Sequence, residues 1–198
     1  MRTRTTDLPH PLRVLFVCTA NISRSPYAER RGQHLLGTHA TGVVLSSAGV
    51  PGFPGRGMDP AMVAELVARG GDAGGHVSRS VSAEVLEEAD VVVTVEFAHR
   101  MRIFEQWPEH AGKVFGLRQL ADALRRAPAA HAGLAALDAA LSVARPDGLN
   151  GDLADPYRRG AAAAARCADE IDEALLTILP ALSGAPSLGE LGRLPARW

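Results

Sequence analysis

Arg13-Val14-Leu15-Phe16-Val17-Cys18-Thr19-Ala20-Asn21-Ile22-Ser23-Arg24-Ser25-Pro26-Tyr27-Ala28-Glu29 is the stretch on which the reading of this chain turns. The unbroken apolar run from Val14 to Val17 reads as a buried strand. It ends at a cysteine, crosses a short polar loop and enters a helix whose first turn carries Pro26. Cys18 and Arg24 therefore bracket a loop between a strand end and a helix start. In open α/β sheets ligands bind at that place, and a helix N-terminus there offers unpaired N–H groups to an anion.

Each part of the loop has a chemical use. A thiol aimed at several backbone N–H donors and a helix N-terminus is favoured as the thiolate near neutral pH. Arg24 can hold two oxygens of a phosphate or similar oxyanion bidentately, which lysine cannot. Asn21 tolerates a left-handed backbone, useful where successive N–H groups curl inward around an anion. Ser25 is placed to hydrogen-bond the sulfur or Asn21. Thr19, Ala20, Asn21, Ile22, Ser23, Arg24 and Ser25 would together line the anion. The bland alternative, a core cysteine with a surface arginine nearby, does not require Asn, Arg, Ser and Pro at these offsets.

The spacing Cys-x5-Arg-Ser-Pro after a strand resembles the phosphate-binding loop of the low-molecular-weight protein-tyrosine phosphatases, a fold shared with thioredoxin-coupled arsenate reductases. The resemblance runs over roughly Leu12 to Leu179 and implies a cysteine-based phosphatase.

The chain has 198 residues, a formal net charge of −1 and only two cysteines, Cys18 and Cys167; its pI is near 6.7. That length suits one domain with a substantial core. The charge balance gives no reason to expect nucleic acid or a membrane surface as partner. We find no apolar run of transmembrane length and no signal-peptide core. With one thiol as nucleophile no structural disulfide is left to form, which suits a reducing, cytoplasmic setting. No His/Cys/carboxylate cluster has metal-ligand spacing, so neither metal nor cofactor is expected.

Along the chain, residues 1–11 read as a loose arm and 12–180 as the phosphatase-like domain, with an insertion at about 119–151 and a tail at 181–198. Tyr27, Ala28, Leu35 and Leu36 share one side of the first helix, which runs to about Gly37. Val43 to Gly49 reads as a second buried strand. The resemblance makes Ser47 a support of the phosphate loop; the alternative is a strand end with small residues for packing. Phe53, in a Gly/Pro-rich loop, falls near an aromatic pocket wall of the family, where it would stack on an aryl phosphate; otherwise it plugs its loop onto the core. Asp59-Pro60 is the start of a capped helix rather than an acid catalyst. Gly75-His76-Val77-Ser78-Arg79 resembles the family segment whose histidine buttresses the loop. Ser82 caps a short helix, Asp90 to Val95 is a third strand, and a helix follows from about Phe97 to Gln106. Glu96 either orients Arg24 or caps that helix. Lys113 to Leu117 is a fourth strand, and alternation with helices implies a four-stranded, parallel, doubly wound sheet flanked by helices. Ala129 to Ala144 has helical spacing at Leu134, Leu137 and Leu141 and reads as an added helix before the Asp-Pro-Tyr loop. A last helix runs from about Gly160 to Leu179, with Ala164, Cys167, Ile171, Leu175 and Ile178 on one apolar face and Pro180 stopping it. Cys167 reads there as a buried, inert thiol.

A thiolate attacking phosphorus also needs a proton donor for the departing phenolate. The family supplies it from an Asp-Pro-Tyr/Phe segment, which Asp155-Pro156-Tyr157 matches. Asp155 would be the acid and Tyr157 a second pocket wall opposite Phe53. Asp152 competes but lacks the adjoining proline. The implied activity is hydrolysis of phosphotyrosine, in a protein or as a small aryl phosphate, with Cys18, Arg24 and Asp155 as catalytic residues. Two loop positions depart from the family form. Ala20 stands where glycine is usual, and a methyl there would strain the loop if the position needs positive φ. Ser23 stands where a second cysteine is usual, removing the thiol that could trap an oxidised nucleophile. The rival readings are a thiol-coupled arsenate reductase, for which relay thiols are scarce, and a phospho-ligand binding module weakened in turnover.

Overall fold

The computed structural model describes residues 11–37, 42–128, 132–144 and 151–184. Four parallel strands form the sheet: β1 (Leu12–Cys18), β2 (Val43–Gly49), β3 (Val91–Thr94) and β4 (Val114–Gly116), in the order β2-β1-β3-β4. β1 pairs with β2 from Leu12 opposite Val43 to Cys18 opposite Gly49, and with β3 from Val14 opposite Val91 to Val17 opposite Thr94. The helices are α1 (Arg24–Leu36), α2 (Pro60–Ala68), α3 (Ala83–Glu88), α4 (Phe97–Gln106), α5 (Leu117–Arg126), α6 (Gly133–Val143) and α7 (Ala161–Ser183).

The near-continuous apolar run of β1 follows from burial on both faces. Val14, Phe16 and Cys18 face one core with Tyr27, Leu35, Leu66, Leu120, Ile171 and Leu175. Leu15 and Val17 face the other with Leu86, Val92 and Ile103. Because β1 sends its crossovers to neighbours on opposite sides, the chain reverses its winding between β1 and β3, and a crevice opens beyond their carboxyl ends. Cys18 ends β1 there.

The apolar faces expected for α1 and α7 are buried, and Asp59 and Ser82 cap their helices by accepting from the N–H of Met62 and Val85. Five details depart from the sequence reading. The helix α7 does not stop at Pro180 but continues to Ser183 and ends at Gly184 in the left-handed conformation. A proline in the last turn forfeits one backbone bond, and buried Leu179 and Leu182 hold the turn against the core. Leu141, expected on the buried side of its helix, is 43% exposed, while Ala136, Leu137 and Ala140 are buried. The helix itself begins at Gly133 rather than Ala129, which lies outside the described residues. The strand β4 is shorter than expected because Lys113 ends a 3-10 helix (Pro108–Lys113) and Leu117 already opens α5; Lys113 Nζ donates to the carbonyls of Leu86 and Ala89 at the end of α3. The helix α5 was not foreseen, although Leu117, Leu120, Ala121 and Leu124 carry its apolar face. It packs with α6 on α7. The arm at 1–10 and the tail from 185, Trp198 included, lie outside the described residues. Among the described residues no helix is long and apolar enough to cross a membrane.

One buried charge ties three helices together. Asp172 on α7 accepts from the Tyr27 hydroxyl at 3.0 Å and pairs with Arg31 at 3.2 Å and Arg69 at 3.3 Å. Burial pushes its carboxyl up in pKa, against the pull of both arginines and Tyr27. Removing the carboxylate leaves two buried guanidinium groups short of a partner. Asp172→Ala is expected to lower stability by about 3 kcal/mol, read as a fall in the urea midpoint.

Candidate active site

The loop after β1 is shaped by Asn21. It is buried and adopts φ +58°, the left-handed conformation that asparagine tolerates better than most residues. Its side chain holds the fold around it: Nδ2 donates to Ser25 Oγ at 3.0 Å and to Ser47 Oγ at 2.8 Å. Its Oδ1 accepts the Arg79 N–H at 2.9 Å. The carbonyl of Asn21 accepts from His76 Nε2 at 2.8 Å, which places the histidine proton on Nε2. Ser47 in turn donates to Glu29 at 2.5 Å. Ser47 and His76 thus both sit against the loop residue whose backbone is unusual. Ala20 is not among the residues of positive φ, so its methyl imposes no strain of that kind.

Cys18 Sγ accepts the Asn21 N–H at 3.3 Å and lies 3.0 Å from Ser25 Oγ. The Ser25 hydroxyl also reaches the Ala48 carbonyl at 3.2 Å. It has one proton for two acceptors. Facing a thiol it can give that proton to the carbonyl and accept from S–H; facing a thiolate it can turn the proton to sulfur.

Arg24 is buried at the first position of α1, and its guanidinium is held from two other segments. Nη1 donates to Glu96, just beyond β3, and to the Leu153 carbonyl at 2.9 Å. Nη2 stands 3.4 Å from Asp155. Burial works to lower the Arg24 pKa, but Glu96, Cys18 and Asp155 together more than offset it, and the net direction is upward. The choice left open for Glu96 is thereby settled: it orients Arg24 and makes no side-chain cap on α4. Asp152 caps that helix instead, accepting the Phe97 N–H at 2.6 Å. The two competing carboxylates are thus separated, Asp152 to a helix end and Asp155 to the loop.

A cleft of about 220 Å³ opens over the loop, lined by Cys18, Thr19, Ala20, Ile22, Ser23, Arg24, Phe53, Arg56, Asp155 and Tyr157. Phe53 and Tyr157 both line it, and Phe53 is 47% exposed rather than plugged into the core. No residue of α5 or α6 is among the lining. Cys167 is buried in α7, where burial pushes its thiol up to about 12; it is protonated and unreactive at neutral pH.

The sequence model of the low molecular weight phosphotyrosine protein phosphatases matches residues 13–136. The chain belongs to that family. The low molecular weight protein-tyrosine-phosphatase Wzb of Escherichia coli (strain K12) is 35% identical over 101 residues, which are 51% of this chain and 66% of that protein. A protein-arginine-phosphatase of Bacillus subtilis (strain 168) is 33% identical over 106 residues, 54% of this chain and 70% of that one. The crystal structure of a low molecular weight protein tyrosine phosphatase from T. tengcongensis superposes with a TM-score of 0.66 at 28% identity, covering 83% of this chain and 95% of that one. The family match ends before Asp155, so it is the fold that brings this carboxylate to the loop.

Sequence reasoning missed His99, Glu29 and Arg56. His99 is buried on α4 with its Nε2 2.8 Å from Thr19 Oγ1, and nothing local in the sequence marks it. Gly49 ends the Ser-Ala-Gly segment that the family resemblance sets beside the phosphate loop. A Cβ there would lie 2.8 Å from the Thr19 carbonyl oxygen, 2.9 Å from the Ala20 carbonyl carbon and 2.9 Å from the Asn21 nitrogen. These are backbone atoms that have no rotamer to yield. Gly49→Ala is expected to cost about 2 kcal/mol in stability and to weaken binding of inorganic phosphate, measured by thermal unfolding with and without the anion.

Burial and the nearby Arg24 push His99 down to about 4, against Asp152 and Asp155. A histidine with its ordinary value near 6.5 in the unfolded chain then takes a proton first on unfolding. Its contribution is complete above that value and is lost as pH falls towards 4, on the order of 3 kcal/mol. The slope of stability against pH in this window is expected to flatten in His99→Gln, which urea titrations at several pH values will read.

Proposed function

We propose that this chain hydrolyses phosphotyrosine or related aryl phosphate monoesters through a cysteinyl-phosphate intermediate. The observation that carries the reading is Asp155, held 3.4 Å from the guanidinium of the loop that also holds Cys18, across a cleft walled by two aromatic rings. A binding module needs neither a thiol nor an acid at that place.

Backbone N–H groups of the loop and Arg24 take the phosphate dianion and balance charge on its equatorial oxygens during transfer. The Cys18 thiolate attacks phosphorus, the ester P–O bond breaks, and Asp155 gives its proton to the departing phenolate oxygen. Asp155, now ionised, takes a proton from a water that attacks phosphorus; the new P–O bond forms as the P–S bond breaks, releasing inorganic phosphate and restoring the thiolate. Phe53 and Tyr157 would clasp the aryl ring. Residues 12–180 are read as one catalytic domain, and the reliance on a free thiol fits a reducing compartment such as the cytoplasm. Arsenate reduction is less well supported, because the one other thiol, Cys167, is buried and protonated.

The deciding experiment is metal-free turnover of aryl phosphates. Cys18→Ser is expected to abolish it. Asp155→Asn is expected to lower kcat/KM, which reports the steps through P–O cleavage, about 100-fold or more for phenyl phosphate and far less for nitrophenyl phosphate, whose leaving group needs little protonation. An equal loss on both would argue against Asp155 as the acid. Phosphoarginine serves as the control substrate; faster turnover of it than of phosphotyrosine would overturn the proposed substrate class.

A further inference from the structure

Two arginines that the mechanism does not use flank the aromatic walls of the cleft: Arg56 lines it, and Arg158 adjoins its Tyr157 wall. Arg56 lies 5.6 Å from the centre of the Phe53 ring and Arg158 lies 5.1 Å from the centre of the Tyr157 ring. Each aromatic wall thus has its own guanidinium stacked against it, although the two come from distant parts of the chain. Both arginines are exposed, and neither has an ion-pair partner among the described residues. Arg24, Arg31, Arg69, Arg118 and Arg126 face carboxylates instead, and one further arginine, Arg100 on α4, also stacks on a ring, that of Phe104 at 5.1 Å. Asp155, the acidic group at the mouth, is turned to Arg24.

Both rim cations are also held at fixed points. Ser78 is buried and clamps the Arg56 turn from two sides. Its N–H donates to the Arg56 carbonyl at 2.8 Å, and its Oγ accepts the Arg56 N–H at 2.9 Å while donating to the Phe53 carbonyl at 2.6 Å. Arg158 occupies the third position of a turn closed by the Arg159 N–H on the Pro156 carbonyl at 3.0 Å, with φ +58°. That position favours glycine or asparagine, and a bulkier residue kept there against its backbone preference is a feature of functional sites. Stacking occupies the face of a guanidinium and leaves its in-plane N–H donors open to carboxylates.

We propose that Arg56 and Arg158 form a cationic fork that selects phosphorylated peptides whose flanking residues are acidic. The inference rests on the phosphatase reading for its phosphoryl group, and it adds what surrounds that group. Rim charges act chiefly through association and are screened by salt, so the preference belongs to kcat/KM and fades as ionic strength rises.

The test uses two phosphotyrosine peptides of equal length, one flanked by Glu and one by Gln. Turnover is measured with the native chain, Arg56→Gln, Arg158→Gly and the double variant, in about 20 mM and about 500 mM salt. Binding of the same peptides to Cys18→Ser is measured alongside by calorimetry. Arg158→Gly suits the positive φ of its turn, so a loss there reflects charge rather than folding. We expect the native chain to favour the acidic peptide about tenfold at low salt. The ratio should fall severalfold in each single variant and approach one in the double variant and at high salt. Equal turnover of both peptides at low salt, or a preference that survives the double substitution, overturns the fork. Preferential binding without any turnover would leave the fork standing and sink the phosphatase reading.

Discussion

The site depends on one residue being held in a conformation it would not keep alone. Asn21 sits at positive φ with its amide spent on three different segments: the start of α1 through Ser25, the strand β2 through Ser47, and the loop before α3 through Arg79. Its carbonyl is engaged by His76. A left-handed residue costs of order 1 kcal/mol or more, and satisfied buried hydrogen bonds of this number outweigh it. The bend so fixed turns the Asn21 N–H onto the Cys18 sulfur and leads the chain into the helix on which Arg24 stands. Position of the thiol and position of the guanidinium are therefore two outcomes of the same bend.

The sheet explains why partners from so many segments can meet there. The carboxyl ends of β1 and β3 open side by side, so Cys18 and Glu96 emerge next to each other. Glu96 and the Leu153 carbonyl give the buried guanidinium two acceptors, and Asp155 stands beside it. Burying an arginine without such partners would be prohibitive. The result is a cation whose donors face a cleft yet whose stem cannot move.

What could be read from the sequence was what lies close together along it. The strand, thiol, loop and arginine fall within one short run, and the apolar periodicity of α1 and α7 is strong enough to survive any context. Asp155 could be set above Asp152 because proline adjoins it, and the structure separates the two by giving Asp152 the Phe97 N–H. The omissions share a cause. His99 meets Thr19, Glu29 meets Ser47, and Ser78 meets Phe53 across loops or between elements, and nothing in a local pattern announces a contact at long sequence separation. Pro180 misled because a rule about isolated helices was applied where Leu182 had a core to hold. Leu141 misled because an alanine-rich helix offers several faces of similar apolarity, and Ala136 and Ala140 took the buried one.

Leu153 anchors the chain that returns to the site. It is buried, its N–H donates to the Val95 carbonyl at 2.9 Å, and its carbonyl accepts a hydrogen bond from Arg24. The returning chain is therefore moored two residues before Asp155, whatever path it took from α5. For flexible chain the entropy of closing a connection grows only with the logarithm of its length, about 0.6 kcal/mol for each doubling. Length added outside the packed face of α6 therefore carries a small thermodynamic cost while the carboxylate arrives at the same berth. A mooring of this kind lets the outer shell of the molecule drift in sequence and length while the distances at its centre stay put.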